Sequence, residues 1–258
     1  MNAQMAKFYL GLLRHYRDWP KIIRSMLRGQ PGPSCLRLRS GIRFNVPPAG
    51  RGVEIVNEVF FARVYTPKFL PVEAGDTVVD IGANIGVFSV FASAQGAARI
   101  YAFEPFSENF DFLQQNIALN GRQNIIPVPA AISGRAGISR LYLANSGGGH
   151  LLFDHCGDGK LTEYVEVPTV TLRAVMDDRK LCKIDYLKID CEGSEGTIFE
   201  CLSEDDLRRV RKIGMEFHDN LSSLNHDEIE DRLLSAGFKT QVEWDGKSPF
   251  GYIYAKRL

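Results

Sequence analysis

The sequence predicts an α/β protein: a mostly parallel sheet with helices on both faces and a final strand running against the rest. Three observations predict it. Short apolar runs alternate with stretches of helical periodicity from residue 77 to residue 236, and such alternation builds a parallel sheet. The last two extended runs, 238–244 and 251–257, are separated only by Asp245-Gly246-Lys247-Ser248-Pro249. That connection is too short for a crossover, so the pair is an antiparallel hairpin. Finally, Asp76-Thr77-Val78-Val79-Asp80-Ile81-Gly82-Ala83-Asn84-Ile85-Gly86 leads an apolar strand through a glycine turn into a helix.

Taken in order, residues 3–28 read as helical, with Phe8, Leu12, Tyr16, Trp19, Ile22 and Met26 recurring at helical spacing and Pro20 dividing the stretch in two. Gln30-Pro31-Gly32-Pro33 is a linker, Cys35 to Val46 a small hairpin around Ser40-Gly41, and Glu54 to Tyr65 a helix. The core follows: strand 77–81, helix 86–95, strand 99–104, and helix 107–120 with Ser107 as N-cap and Gly121 as its stop. Strand 125–131 comes next, then extended pieces at 138–143 and 164–170 and a short helix from Thr171 to Asp178. Strand 185–190 leads to helix 194–202. Strand 211–217 leads to helix 226–236, capped by Asn225 and stopped at Gly237. This divides the chain into an N-terminal helical and hairpin extension, 1–53, and a main domain, 54–258.

A chain of 258 residues can bury a full core. Its formal net charge of zero argues against a nucleic-acid binder working by overall electrostatics. The charge is uneven, however: Lys7, Arg14, Arg17, Lys21, Arg24, Arg28, Arg37, Arg39 and Arg43 face one acid, Asp18, within residues 1–43. Such a basic helical segment with Trp19 suits a cap on the main domain or, alternatively, peripheral contact with an anionic membrane. The five cysteines form no C-x-x-C pair and read as free thiols in a reducing compartment. No apolar run is long enough to span a bilayer, and Arg14, His15, Arg17 and Asp18 interrupt any signal-peptide core. The expectation is a cytoplasmic protein.

The chemistry is expected beyond the C-terminal strand ends, where open α/β sheets bind ligands. Glycines let a backbone approach a ligand closely, and the helix behind them offers free N–H donors. Glu104 ends the second strand about twenty residues after the glycines, where an acid commonly accepts hydrogen bonds from a ribose diol. A nucleoside-containing ligand is therefore expected. A dinucleotide loop reads G-x-G-x-x-G; here the middle glycine is missing, and Asp80 would repel a pyrophosphate but suit a cation. S-adenosylmethionine has an ammonium, a sulfonium and no phosphate. The later strand ends carry Lys188, Asp190, Glu192, Glu216 and His218. In an extended chain, Asp190 and Glu192 would point the same way, as would Glu216 and His218.

Four stretches, Val79-Asp80-Ile81-Gly82-Ala83-Asn84-Ile85-Gly86, Ala102-Phe103-Glu104-Pro105, Leu187-Lys188-Ile189-Asp190-Cys191-Glu192-Gly193-Ser194-Glu195 and Glu216-Phe217-His218, together resemble the FkbM-type S-adenosylmethionine-dependent methyltransferases over roughly residues 54–220. The resemblance implies a Rossmann-like class I methyltransferase sheet and O-methylation of a hydroxyl on a sugar, a glycan or a glycosylated natural product. It implies cofactor contacts from Asp80, Gly82, Ala83, Asn84, Gly86, Glu104 and Pro105, with strand-end roles for Asp190, Glu192, Glu216 and His218. Glu58 and Tyr65, carried toward the first core strand, are expected to cover the cofactor. One departure is Thr171-Leu172-Arg173, where the family often reads Thr-Leu-Asp; a different acceptor would accompany it.

Methyl transfer from a sulfonium is an in-line displacement, helped by holding donor and oxygen in place. His218 is the expected general base, since a neutral imidazole is available near pH 7, with Glu216 or Asp190 orienting it. Asp190, Glu192 and His218 would instead suit Mg or Mn, a divalent metal that the sequence allows but does not favour. Gly147-Gly148-Gly149, with His150 and His155, reads as a mobile loop near the acceptor, and loops 144–163 and 219–225 are expected to shape its pocket. The competing readings are an NAD-dependent oxidoreductase and a non-catalytic nucleoside-binding module.

Overall fold

The computed structural model describes residues 3–48, 51–143 and 163–257. The glycine-rich loop with His150 and His155 lies outside the described residues, as does Cys156. The other four cysteines are free.

The main sheet contains β3 (Thr77–Ile81), β4 (Arg99–Phe103), β5 (Ile125–Val128), β9 (Ile184–Ile189), β10 (Val210–His218), β11 (Lys239–Glu243) and β12 (Phe250–Lys256). Its order is β11-β12-β10-β9-β3-β4-β5. Neighbours are parallel except β12, which runs antiparallel to both β10 and β11. The chain crosses helices α4 (Val87–Ala94), α5 (Ser107–Leu119), α6 (Leu172–Asp178), α7 (Glu195–Cys201), α8 (Glu204–Arg208) and α9 (His226–Ser235). Along β3 the period of two sends Val78 into one core cluster, with Phe88, Phe91 and Leu113, and Val79 and Ile81 into another, with Met176, Phe199 and Ile229. Helices therefore cover both faces, and each fully buried aliphatic or aromatic side chain is worth about 1.5–3 kcal/mol.

Register brings charge together inside this sheet. Asp80 of β3 is paired with Lys188 of β9, a residue distant in sequence. Parallel neighbours in register point the same way, so both side chains share one face.

Some element boundaries differ from the expected ones, each for a physical reason. The expected strand 125–131 is two strands: Pro129, which cannot donate to a ladder, ends β5. A short β6 (Ala131–Ile132) then joins β7 (Gly137–Tyr142) and β8 (Tyr164–Val170) in a separate three-stranded sheet of order β6-β8-β7. The expected helix 54–65 is α3 (Gly52–Asn57) continued by a π-helical turn at Glu58–Ala62, closed by Arg63 in the left-handed region. Tyr65 therefore lies beyond the helix. Ser107 is the first helical residue and not the N-cap; Phe106 holds that place, and its N–H donates to Glu104 Oε1 at 2.9 Å. Asn225 caps α9 as expected, in a reciprocal box with Glu228.

The extension forms α1 (Ala3–His15), α2 (Trp19–Arg28), β1 (Cys35–Arg37) and β2 (Arg43–Asn45). The helices part at Tyr16, which bridges to Leu38, and Pro20 sits within the first turn of α2, where it needs no N–H. Leu12, Tyr16 and Ile22 are buried, and the Tyr16 hydroxyl donates to Asn57 Oδ1 at 3.0 Å. Asn116 of α5 donates to Asn45 and to Ile85, tying the hairpin to the turn after β3. The opposite sides of α1 and α2 leave Leu10, Leu13, Met26 and Leu27 exposed. Among the described residues no helix is long and apolar enough to cross a membrane.

Candidate functional site

The strand ends open into a cleft of about 410 Å³. Its floor at one end is the turn after β3. Gly82 has φ +73°, and a Cβ there would lie 1.7 Å from the carbonyl oxygen of Asp190; no other residue allows the two strand ends to approach so closely. The N–H groups of Gly82 and Ala83 donate to the Phe103 carbonyl at 3.1 and 2.9 Å. Asn84, also left-handed at φ 50°, donates its N–H to Glu104 Oε2 at 2.8 Å. Glu104 is thus held by one backbone donor on each oxygen and keeps lone pairs for a diol. Burial pushes its carboxyl up to about 7, against the backbone N–H groups of Phe106 and Asn84 and the charge of Lys188, which pull it down.

Gly82, Ala83, Asn84, Glu104, Pro105, Glu58 and Tyr65 all line the cleft, as do Asp190, Glu192, Glu216 and His218. Asp80 and Gly86 do not, and these two placements correct the sequence reading. Asp80 is fully buried. Ser89 donates to its Oδ2 at 2.6 Å, and Lys188 Nζ lies 3.3 Å from its Oδ1. Its charge is spent on a buried lysine, not on a cationic ligand. The same Nζ donates to the carbonyls of Ile81 (3.1 Å) and Gly82 (2.7 Å), so the pair pins the glycine loop from beneath. Gly86 caps α4 at φ +85°, where a Cβ would meet Leu113 Cδ1 at 2.5 Å. Its role is helix packing.

At the other end of the cleft four polar strand-end residues converge. Asp190 and Glu192 do not arrive by extended-chain alternation. Strand β9 stops at Ile189, and Glu192 has φ +52°, so a turn folds it back. Donor atoms of Asp190, Glu192 and His218 all lie within 4.8 Å of one another. Glu216 and His218 do alternate along β10. The Tyr65 hydroxyl spans the two strand ends, 2.7 Å from Asp190 Oδ2 and 3.2 Å from Glu216 Oε2. Burial, then the charge of Asp190, raises the Glu216 carboxyl above its ordinary range. For Glu58, burial raises the carboxyl against the pull of Arg51.

The residue that orients His218 is neither Glu216 nor Asp190. It is Glu195, in the first turn of α7, with no exposed surface. Its Oε1 is 3.1 Å from His218 Nδ1, while Nε2 lies 3.4 Å from Glu192 Oε2. Glu195 also accepts the N–H groups of Cys191 and Gly193, which holds the whole turn. Burial alone would lower the imidazole. The hydrogen bond to Glu195 and the charges of Glu195, Glu192 and Asp190 overcome it and push His218 up to about 10. The open site therefore holds an imidazolium at pH 7, not the neutral base expected from the histidine's ordinary range.

Glu195 escaped a role in the sequence reading because its function comes from a turn that only the folded chain shows. Its signal was an acid in the first turn of a helix beside a strand-end acid pair. Arg51, Asn109, Phe250 and Tyr252 also line the cleft and had no local signal. Arg173, the departure from the family pattern, is not in the cleft wall; it pairs with Asp206 of α8.

A reversed last strand set beside the fifth core strand is the class I methyltransferase sheet, and this protein is an S-adenosylmethionine-dependent methyltransferase. It belongs to the FkbM family: the Methyltransferase FkbM domain profile matches residues 80–240. The chain is 29% identical over 240 residues to 31-O-demethyl-FK506 methyltransferase FkbM of Streptomyces tacrolimicus, with 81% of this chain and 90% of that protein covered. Methyltransferase sdnD of Sordaria araneosa is 29% identical over 235 residues, covering 79% and 89%. A solved methyltransferase FkbM from Methylobacillus flagellatus KT superposes with a TM-score of 0.48 at 14% identity, over 70% of this chain and 43% of that one.

Proposed function

We propose that this protein transfers a methyl group from S-adenosylmethionine to a hydroxyl oxygen of a sugar, a glycan or a glycosylated natural product. The observation that carries the reading is the polarity of a single cleft. A glycine loop and a ribose-type acid, Glu104, stand at one end; Asp190, Glu192, Glu216 and His218 gather at the other. A nucleoside held at the first end would direct its sulfonium toward the second. There an acceptor hydroxyl would find groups able to hold it and take its proton. As the oxygen–carbon bond forms, the sulfur–carbon bond breaks, the sulfonium becomes a neutral thioether, and the hydroxyl proton passes to Glu216 in its ionised form, a carboxylate that burial and the charge of Asp190 make a stronger base than usual. Much of the rate would come from alignment, and proton transfer would supply roughly 10²–10⁴-fold.

Transfer to oxygen is supported by the name of the Streptomyces relative, which specifies a 31-O position. A polyhydroxylated acceptor is supported by the cleft lining, which includes the rings of Tyr252 and Phe250 and the guanidinium of Arg51 as well as the strand-end carboxylates. Methyl-labelled S-adenosylmethionine incubated with a panel of glycosides and their aglycones tests the reading. Label is expected in an alkali-stable ether on a hydroxylated acceptor. Label on nitrogen or carbon only would overturn it.

A further inference from the structure

We propose that Asp190, Glu192 and His218 together hold one divalent cation, Mg or Mn, at the acceptor end of the cleft. The cation's role in the reaction rests on the methyltransferase reading above; its being held does not.

Three observations carry the proposal. The first is spacing. One donor atom from each of the three side chains lies within 4.8 Å of the others. Ligands around one ion at about 2.0–2.3 Å must be that close. The three come from two adjacent strand ends: Asp190 and Glu192 from the turn after β9, and His218 from the end of β10.

The second is the tautomer. Glu195 is entirely buried and accepts at 3.1 Å from His218 Nδ1. It also takes two backbone N–H groups, from Cys191 and Gly193, so it is anchored and cannot itself swing into the cleft. A cation would take the place of the Nε2 proton of the imidazolium, while the Nδ1 proton stays with Glu195; Nε2, 3.4 Å from Glu192 Oε2, is the nitrogen that faces the cleft. Carboxylate–histidine–metal triads are built in this way.

The third is charge. Asp190, Glu192, Glu195 and Glu216 crowd this end of the cleft, while Lys188 stands nearer to Asp80 (3.3 Å) than to Asp190 (3.8 Å). Lys188 and His218 offset part of this negative charge but are outnumbered, and partly buried carboxylates are costly where the balance is not met. A divalent cation compensates two of them and satisfies oxygen lone pairs as well. Two carboxylates with one imidazole suit Mg or Mn, which keep further positions for water and a substrate oxygen. A hydroxyl bound there loses its proton more readily, and Glu216, which is not among the three ligands, stands beside it to accept that proton.

The test uses the full-length protein stripped with EDTA and titrated with MnCl2, with and without S-adenosylhomocysteine, followed by calorimetry and by the Mn paramagnetic signal. Saturable binding of one Mn per chain is expected. Asp190→Asn and His218→Gln should lose it. Glu195→Gln, which would touch no cation, should weaken it about 10–100-fold. Glu104→Ala should keep Mn while losing S-adenosylhomocysteine. If Asp190→Asn does not fold, Glu192→Gln, at a more exposed position, takes its place. A folded wild type with no saturable Mn binding in either condition overturns the proposal, as does binding indifferent to all ligand substitutions. S-adenosylhomocysteine binding with EDTA-insensitive transfer and no Mn binding would remove the cation alone. Mn binding without any S-adenosylhomocysteine binding would keep the cation and remove the methyltransferase reading.

Discussion

Replacing Lys188 with Met should destabilise the fold and loosen the cofactor loop together. Lys188 is 3% exposed and Asp80 is 0% exposed. The substitution keeps the aliphatic stem but removes the only cation paired with Asp80 among the described residues, leaving the Ser89 hydroxyl donating to a buried carboxylate. It also strips a donor from the Ile81 and Gly82 carbonyls. Breaking a buried pair by removing one partner costs about 3–5 kcal/mol. In a chain of this size each kcal/mol moves Tm by roughly 2–4 °C, so a fall of roughly 6–20 °C is expected by scanning calorimetry. The double variant Asp80→Asn, Lys188→Met removes the charge along with its partner and should regain most of that loss. S-adenosylhomocysteine affinity should fall in the single variant, because the loop carbonyls lose their anchor. A Lys188→Met protein as stable as the wild type, or a double variant no better than the single one, would refute the reasoning.

Three further outcomes are expected. Gly82→Ala should abolish cofactor binding or folding, because its Cβ would sit 1.7 Å from the Asp190 carbonyl. Gly121→Ala, also left-handed but with open space around it, should cost only about 1–2 kcal/mol in a denaturant titration. The Glu104 carboxyl is raised to about 7 in the open site, and its ionised form is the better acceptor for a diol. Cofactor affinity should therefore rise with pH up to about 7 and level off above it, falling by up to about tenfold per unit below; Glu104→Gln should flatten that profile in calorimetry across pH. Glu216→Gln should lower turnover by about 10²–10⁴-fold with little change in cofactor affinity, read as kcat against the Kd for S-adenosylhomocysteine.

The fold was legible because its signals are local. The apolar runs, the Gly82 and Gly86 turn, and the short link between β11 and β12 each speak within a few residues, and the sheet follows from them. Proline positions spoke both ways: Pro20 divides the first stretch into two helices as expected, standing in the first turn of the second, whereas Pro129 splits what read as one strand. The site was legible as a set of strand-end residues but not as a geometry. Asp80 looked like a ligand-facing acid because nothing nearby in sequence announces Lys188 as its partner. Glu192 looked like an alternating strand residue because its left-handed turn is imposed by packing. Glu195 was present in the motif, yet its hold on His218 needs β10 to lie beside the turn after β9. Local pattern names such residues; only long-range pairing shows which of them face the cleft and which support it from below.

The cleft beyond β3, β4, β9 and β10 is expected to bind S-adenosylmethionine through the glycine loop and Glu104. Calorimetry of S-adenosylhomocysteine with the wild type and with Glu104→Ala tests it most directly. One-to-one binding to the wild type is expected, with loss of most of that affinity in a variant that folds normally. No binding to the folded wild type, or equal binding to both proteins, would contradict it.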